Sequence, residues 1–403
     1  MSHFIIIGAG QAGATLAETL RKKGFEGEIT MIGAEPHPPY QRPPLSKAYL
    51  LGEMALERLF LRPEAWYGEH NVTLREGCTA EAIDPTAQTV ILSNSEVLSY
   101  DKLVLTTGAE PHRLPDRIGG NLAGVYTVRS LADVEAMKPE FAKGRKVLII
   151  GGGYIGLEAA AVAAKLGLEP VLVEMADRIL QRVAAPETSN YFRTLHNSHG
   201  VEIIEGVGVE ALLGEGRITG ARLTDGREIA VDFAIAGVGV APRIGLAEAA
   251  GLAIENGIKT SAEAQTSNPN IYAAGDCAST PINGTQVRIE SVGNAIDQAG
   301  IAAANMLGGT EAYTPKPWFW SDQFDIKLQI AGLNTGYDRV VARGEGASQS
   351  HWYYKENTLL AVDAMNDPRA YMVGKRVIEA GRSPAPEMVA DQSIDLKTIM
   401  ATK

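Results

Sequence analysis

The sequence predicts an α/β chain of two doubly wound domains followed by a smaller α+β domain. Three observations predict it. Residues 4–17, FIIIGAGQAGATLA, run from a wholly apolar strand into Gly8, Gly10 and Gly13 with the G-x-G-x-x-G spacing. Residues 147–156, VLIIGGGYIG, repeat the device with Gly151, Gly153 and Gly156. Near residue 317 the character changes, because PWFWSDQF gathers Trp318, Phe319, Trp320 and Phe324 and polar alternation follows. Each glycine turn follows a strand apolar enough to be buried on both faces, as a parallel sheet requires. The first glycine permits the tight turn, the second lets backbone approach a pyrophosphate, and the third lets the new helix pack on the strand. An acid about 20 residues further on is expected to hold a ribose. Glu35 ends EITMIGAE and Glu174 ends PVLVE, so both units are complete and Rossmann-like. Two such sites in one chain point to a flavoprotein that also binds a nicotinamide dinucleotide.

In chain order, residues 36–47 read PHPPYQRPPLSK, and five prolines exclude a central strand or a helix interior. Arg42, Ser46 and Lys47 hang on that stiff frame, where their side chains lose little entropy when fixed against a ligand. Ser46 or Pro44 is expected to open a helix over KAYLLG whose N-terminus suits an anion. Short strands and turns fill 72–110 and end in YDKLVLTTGAEP, where an apolar strand meets Thr106, Thr107, Gly108 and Ala109 at a crossing between domains. The second unit's Ala-rich helix, LEAAAVAAKLG, should stop at Gly167. Asp225-Gly226 signals a hairpin. AIAGVGVAPR is another apolar strand entering a glycine turn at Gly239, and TSNPNIYAAGDCA leads a short strand into Gly275 and Asp276. Residues 289–305 read as a helix. Strands then run from about 317 to about 380 before a helical tail.

Composition bounds the function. With 403 residues, 45% hydrophobic and 21% charged, the chain suits two or three globular domains. No apolar run nears the roughly 18 residues that a membrane span needs. The first strand begins near residue 4, leaving no room for a cleaved signal, so a cytoplasmic protein with no membrane partner is expected. A net charge of −11 argues against nucleic acid as a partner. Cys78 and Cys277 form no C-x-x-C, which excludes a disulfide framework and a cysteine metal site. Cys277 reads as a small buried thiol. His196 and His199 could share a helix face, but with no third ligand nearby they read as a solvated helix end, and no metal is expected.

Along essentially its whole length the sequence resembles the NADH-dependent ferredoxin reductases of bacterial haem monooxygenase and ring-hydroxylating dioxygenase systems. These are the putidaredoxin-reductase type of glutathione-reductase-like flavoprotein. The resemblance is carried by GAGQAG (8–13), PYQRPPLSK (39–47), TTGA (106–109), GGGYIGLE (151–158), AAGDCA (273–278), ESVGNAIDQA (290–299) and WFWSDQ (318–323). It implies a discontinuous FAD-binding domain over 1–110 and 242–316, an NADH-binding domain over 111–241 and a C-terminal α+β domain over 317–403. It implies that Gly8, Gly10, Gly13 and Glu35, with Arg42, would hold the adenosine and pyrophosphate of FAD. Thr107, Ala109, Arg129 and Asp276 would contact the flavin, ribitol or phosphates. Val292 would open a helix whose N–H groups face the ring where negative charge grows on reduction. Gly151, Gly153, Gly156 and Glu174 would grip the ADP half of NADH, and Gly239 would approach the nicotinamide. The candidate catalytic residues are Lys47, beside the flavin and paired with Glu158, and Trp320, capping the flavin edge nearest the ferredoxin.

Disulfide reductases of this fold carry a redox C-x₄-C after the first unit, where this chain has RPPLSKAY. With no thiol relay, electrons are expected to pass singly to an external centre. The chain has no cysteine set for an iron–sulfur cluster of its own, so the metal belongs to the partner. The expected reaction moves a hydride from NADH to non-covalent FAD and then one electron to each of two [2Fe–2S] ferredoxins, which supply an oxygenase. A reductase of rubredoxin or another acceptor and a non-catalytic NADH-sensing flavoprotein are the alternatives. Arg288, Lys316, Lys327, Arg339, Arg343, Lys375 and Arg376 form the candidate ferredoxin-docking set.

Overall fold

The computed structural model describes residues 2–401. By packing, the chain divides into two compact units. Met1–Gln41, Ala55–Glu110 and Val240–Pro317 make one; Arg42–Met54, Pro111–Gly239 and Trp318–Lys403 make the other. The loop from Arg42 therefore belongs with the second glycine turn and the C-terminal segment, not with the strand it follows.

The first unit is built on a parallel sheet in the order Ile271–Ala273, Lys102–Leu105, His3–Ile7, Glu28–Ile32, Val72–Arg75. Phe4, Ile5, Ile6 and Ile7 are all buried, which is why the strand reads as an unbroken apolar run. On one face, helices Gln11–Lys22 and Val292–Met306 pack through Ala12, Leu16 and Ala17 with Ala295, Ala299 and Ala302. Small residues there let two helices lie close over one sheet.

The second unit repeats the pattern: Glu202–Glu205, Glu169–Glu174, Lys146–Ile150, Phe233–Ala236 and Val125–Tyr126 form its parallel sheet. Helix Tyr154–Lys165 follows the glycine turn and stops before Gly167, whose φ of 80° makes the expected C-cap. The same unit holds an antiparallel sheet in the order Trp318–Gln323, Ile326–Gly332, Thr358–Met365, Ser348–Lys355, Arg339–Glu345. Helix Pro368–Glu379 covers it through Ala370, Tyr371, Val373 and Val377.

Three expectations change. KAYLLG forms no helix. Pro43–Ser46 is one 3₁₀ turn, and Lys47, at φ −137° and ψ −115°, leaves helical space, so the chain continues as turns. The strands end at Met365, well short of residue 380, because Asp367 caps the helix from Pro368 by accepting from the Ala370 N–H. The helix expected over 289–305 begins at Val292, after Ser291 caps it by accepting from the Asn294 N–H.

Candidate functional site

In the first unit the strand His3–Ile7 delivers Gly8 at φ 118°, where a Cβ would lie 2.1 Å from the Thr106 carbonyl oxygen. A Cβ on Gly13 would meet the Gly8 carbonyl oxygen at 2.1 Å. Both are glycine for packing reasons. Gly10 is different. Its φ of −109° suits any residue, and a Cβ there would meet nothing within 4 Å. The fold itself does not require glycine at 10, and the bare backbone there leaves room for a ligand to approach the turn. The second unit matches it term by term. Gly151 turns at φ 106°, a Cβ on Gly156 would strike the Gly151 oxygen at 2.0 Å, and Gly153, at φ −80°, faces open space. Two cradles that only an outside group would fill fit two dinucleotides.

Around the first cradle, Glu35 accepts from the Tyr40 hydroxyl at 2.5 Å. Thr106 donates to the Gly8 carbonyl at 2.8 Å, Thr107 donates to the Arg243 carbonyl at 2.7 Å, and Ala109 is buried. Gly275 donates its N–H to Gln298 at 2.9 Å, fixing the turn that carries Asp276. Cys277 beside it is wholly buried, and burial pushes its thiol pKa up, so it is an inert packing group. Val292 stands at the head of its helix.

Around the second cradle, Glu174 ends its strand and accepts from the N–H groups of Gly152 at 2.6 Å and Ala176 at 2.8 Å. Gly239 turns at φ 98° and accepts from the His112 N–H at 2.9 Å. Elsewhere in the same unit, Arg42 donates to the Arg129 carbonyl at 2.7 Å, just before helix Leu131–Met137, whose N-terminus Ser130 and Asp133 close with a capping box.

The proline-stiffened loop converges on one acid. Glu158 lies on helix Tyr154–Lys165, which is buried nearly all round, so its carboxylate needs partners. Lys47 Nζ lies 2.7 Å from it; their side chains keep 16% and 4% of their exposure, so this is an interior pair rather than two solvated charges. Ser46 donates to Glu158 at 2.6 Å and Ser321 at 2.6 Å. Burial pushes the carboxyl pKa up, while the Lys47 ammonium foremost and the two hydroxyls pull it back.

Ser321 was not among the candidates, although WSDQ holds the signal. Ser321 and Gln323 alternate on one face of the strand, a polar pair aimed inward, and both are buried. Trp320 projects from the other face and stacks on Trp318 at 5.5 Å between centroids.

The solvated reading of His196 is wrong. The ring is fully buried, its Nε2 lies 2.8 Å from Gln323 Oε1, and burial depresses its pKa to about 4. The strand that covers it lies far along the chain. Arg343 also leaves the docking set. It is buried, donating to the carbonyls of Val389 at 2.9 Å, Asp391 at 2.7 Å and Ile394 at 2.6 Å, and so ties down the C-terminal tail. Among the described residues, no group of three or more acids, histidines or cysteines could hold a metal ion, and no helix is long and apolar enough to cross a membrane.

Comparison with known proteins agrees with this geometry. Residues 2–299 match the family model described as pyridine nucleotide-disulphide oxidoreductase, and residues 318–400 match a reductase C-terminal domain. The chain is 42% identical to a ferredoxin–NAD(P)(+) reductase of Sphingomonas sp, across 98% of this chain and 97% of that protein. It is also 42% identical to rhodocoxin reductase of Rhodococcus erythropolis, across 98% and 94%. The reductase in the covalent putidaredoxin reductase–putidaredoxin complex superposes with a TM-score of 0.96 at 39% identity, covering 99% of this chain and 98% of that one. Two dinucleotide cradles, an antiparallel C-terminal domain and near-full-length kinship agree: the chain belongs to the pyridine nucleotide-disulphide oxidoreductase family.

Proposed function

We propose that this chain is an NADH-dependent FAD flavoprotein that reduces a [2Fe–2S] ferredoxin supplying a haem monooxygenase or a ring-hydroxylating dioxygenase. The carrying observation is the pair of open glycine cradles at Gly10 and Gly153, in a chain 42% identical to a ferredoxin reductase over nearly its whole length. Bound FAD supplies the exchange between a two-electron hydride donor and a one-electron acceptor. The polypeptide binds and orients. Gly8, Gly10, Gly13, Glu35, Thr107, Ala109, Asp276 and Val292 hold FAD; Gly151, Gly153, Gly156, Glu174 and Gly239 hold NADH. The flavin-directed roles of Arg42, Arg129, Lys47, Glu158 and Trp320 are supported by the family resemblance. Functionally the chain divides at 1–110 with 242–316, 111–241 and 317–403, and it works in the cytoplasm.

The test is steady-state oxidation of NADH by the purified yellow protein with a panel of acceptors. A [2Fe–2S] ferredoxin should be reduced faster than rubredoxin or quinone. Faster rubredoxin reduction would move the assignment to the rubredoxin alternative, and turnover with none of them would favour a sensor. Denaturation should release the flavin from the polypeptide; colour retained on the chain would overturn non-covalent binding.

A further inference from the structure

A line of buried polar groups behind Glu158 has a fixed direction. Ser321 Oγ lies 2.6 Å from Glu158 Oε1, and an ionised carboxylate only accepts, so the hydroxyl uses its single proton there. Ser321 can then meet Gln323 only as an acceptor, and Gln323 Nε2 donates to it at 3.1 Å. That leaves Gln323 Oε1 facing His196 Nε2 at 2.8 Å. An amide oxygen only accepts, so His196 must carry its proton on Nε2. Its Nδ1 is buried without a hydrogen-bond partner, and a proton there would be an unsatisfied donor. Phe324 holds the far end in place. It sits at φ 56°, a strained position for an aromatic residue, stacked on His199 with centroids 3.9 Å apart and edge-on to His196 at 5.0 Å.

We infer that His196, Gln323 and Ser321 are positioning residues forming a one-way hydrogen-bond chain, every proton directed toward Glu158, that keeps this carboxylate ionised and aimed at Lys47. Donors aligned in one sense polarise one another and favour negative charge at the end they point to. The polarity follows from the bonding once the Lys47 ammonium, 2.7 Å away, makes Glu158 the ionised acceptor. Its consequence for flavin reduction rests on the proposed roles of Lys47 and Glu158.

The experiment reads the imidazole tautomer of His196 in the ¹⁵N-labelled, flavin-loaded protein by long-range ¹H–¹⁵N correlation, with His196→Asn identifying the signals. At pH 7 His196 should be neutral and protonated on Nε2 alone. Ser321→Ala does not touch His196, yet it frees the Gln323 amide to turn over, so the single tautomer should be lost. Ser321→Thr keeps the hydroxyl and should restore it. Stopped-flow reduction by NADH should slow in Ser321→Ala by about tenfold, the size of one hydrogen bond to a charged group. A parent His196 that is charged or protonated on Nδ1 would overturn the chain, as would unchanged signals in a folded Ser321→Ala. Should Ser321→Ala not fold, the parent tautomer and its persistence in Ser321→Thr still decide. A tautomer change without slower reduction would support the chain and overturn the roles given to Lys47 and Glu158.

Discussion

Glu174 holds both its carboxylate oxygens against backbone, accepting from Gly152 and Ala176. It is a fixed negative charge at the strand end where a ribose would bind, able to accept from ribose hydroxyls and to repel a 2′-phosphate. Arg178, the nearest candidate counter-charge, is engaged with the Ser189 hydroxyl at 2.5 Å. NADH should therefore be preferred over NADPH by roughly a hundredfold in kcat/KM, the scale of a like-charge contact of a few kcal/mol. Glu174→Gln should narrow that ratio while keeping an acceptor for the turn; equal kcat/KM values in the parent would refute the assignment. Lys47 poses a different question. Removing it strands a buried carboxylate, and losing one partner of a buried pair costs about 3–5 kcal/mol. The hydroxyls of Ser46 and Ser321 remain on Glu158 and place the expected loss at the lower end. Lys47→Ala should keep FAD, unfold at lower denaturant, and be reduced by NADH more slowly; reduction at the parent rate would make Lys47 a purely structural residue.

Each glycine turn separates packing from binding within a single element. Gly10→Ala and Gly153→Ala place a methyl in open space. Each should leave the apo-protein's stability within about 1 kcal/mol of the parent. The first should lose FAD on dilution, and the second should keep FAD but raise the KM for NADH. Gly13→Ala and Gly156→Ala instead drive a Cβ into a carbonyl oxygen at 2.1 Å and 2.0 Å and should fold poorly. If all four behaved alike in thermal melts, the cradles would be packing devices only. Helix Pro186–Ser198 carries a second element-scale prediction, because two buried networks meet it. His196 bonds Gln323, while Thr188 lies 2.8 Å from His351 Nδ1 and donates to Asp363 at 2.8 Å. Burial depresses His196 and His351 from 6.5 to about 4, and raises Asp363 from 3.8 to about 6. Each histidine binds protons more weakly when folded, so its stabilisation is present above pH 6.5 and is lost as pH falls toward 4. Asp363 binds its proton more tightly when folded, and over pH 6 to 4 it works the other way. Two histidines outweigh one aspartate by about one proton, so these three groups together should lower stability on acidification by about 1.4 kcal/mol per pH unit. Denaturant unfolding at pH 7 and 5 checks this: His351→Gln should flatten the dependence and Asp363→Asn should steepen it.

Across the whole molecule, what the sequence made legible was what its chemistry keeps local. Each glycine turn, its apolar strand and its closing acid lie within one short unit, and so both cradles could be placed without coordinates. Ser46 and Glu158 are 112 residues apart, and His196 and Gln323 are 127 apart. No periodicity links such residues; family resemblance supplied the Lys47–Glu158 pair, and nothing supplied the contact of Ser46 with Glu158 or of His196 with Gln323. Arg343 was misjudged for the same reason, since the tail that buries it is a tertiary neighbour. That correction reshapes the docking prediction. The chain carries −11 overall, so an acidic ferredoxin would be repelled at long range and needs a local positive field. Several candidates are already paired: Arg288 with Glu290, Arg339 with Glu387 at 3.4 Å, and Lys327 near Asp322 at 3.9 Å. Lys375 and Arg376 are adjacent on helix Pro368–Glu379, and Lys375 is itself paired one turn on with Glu379 at 3.4 Å. The Lys375 ammonium lies 5.8 Å from the ring centroid of Trp318, which in turn stacks on Trp320. Basic groups beside a half-buried aromatic stack suit a small, short-lived redox interface, in which steering alters rate more than affinity. Ferredoxin reduction should therefore slow as salt rises past roughly 0.1 M, where the Debye length is about 10 Å. Lys375→Glu with Arg376→Glu should depress that reaction at low salt and remove most of its salt dependence, leaving NADH-to-ferricyanide turnover unchanged. Identical responses of the two activities to salt and to the double reversal would place the docking surface elsewhere.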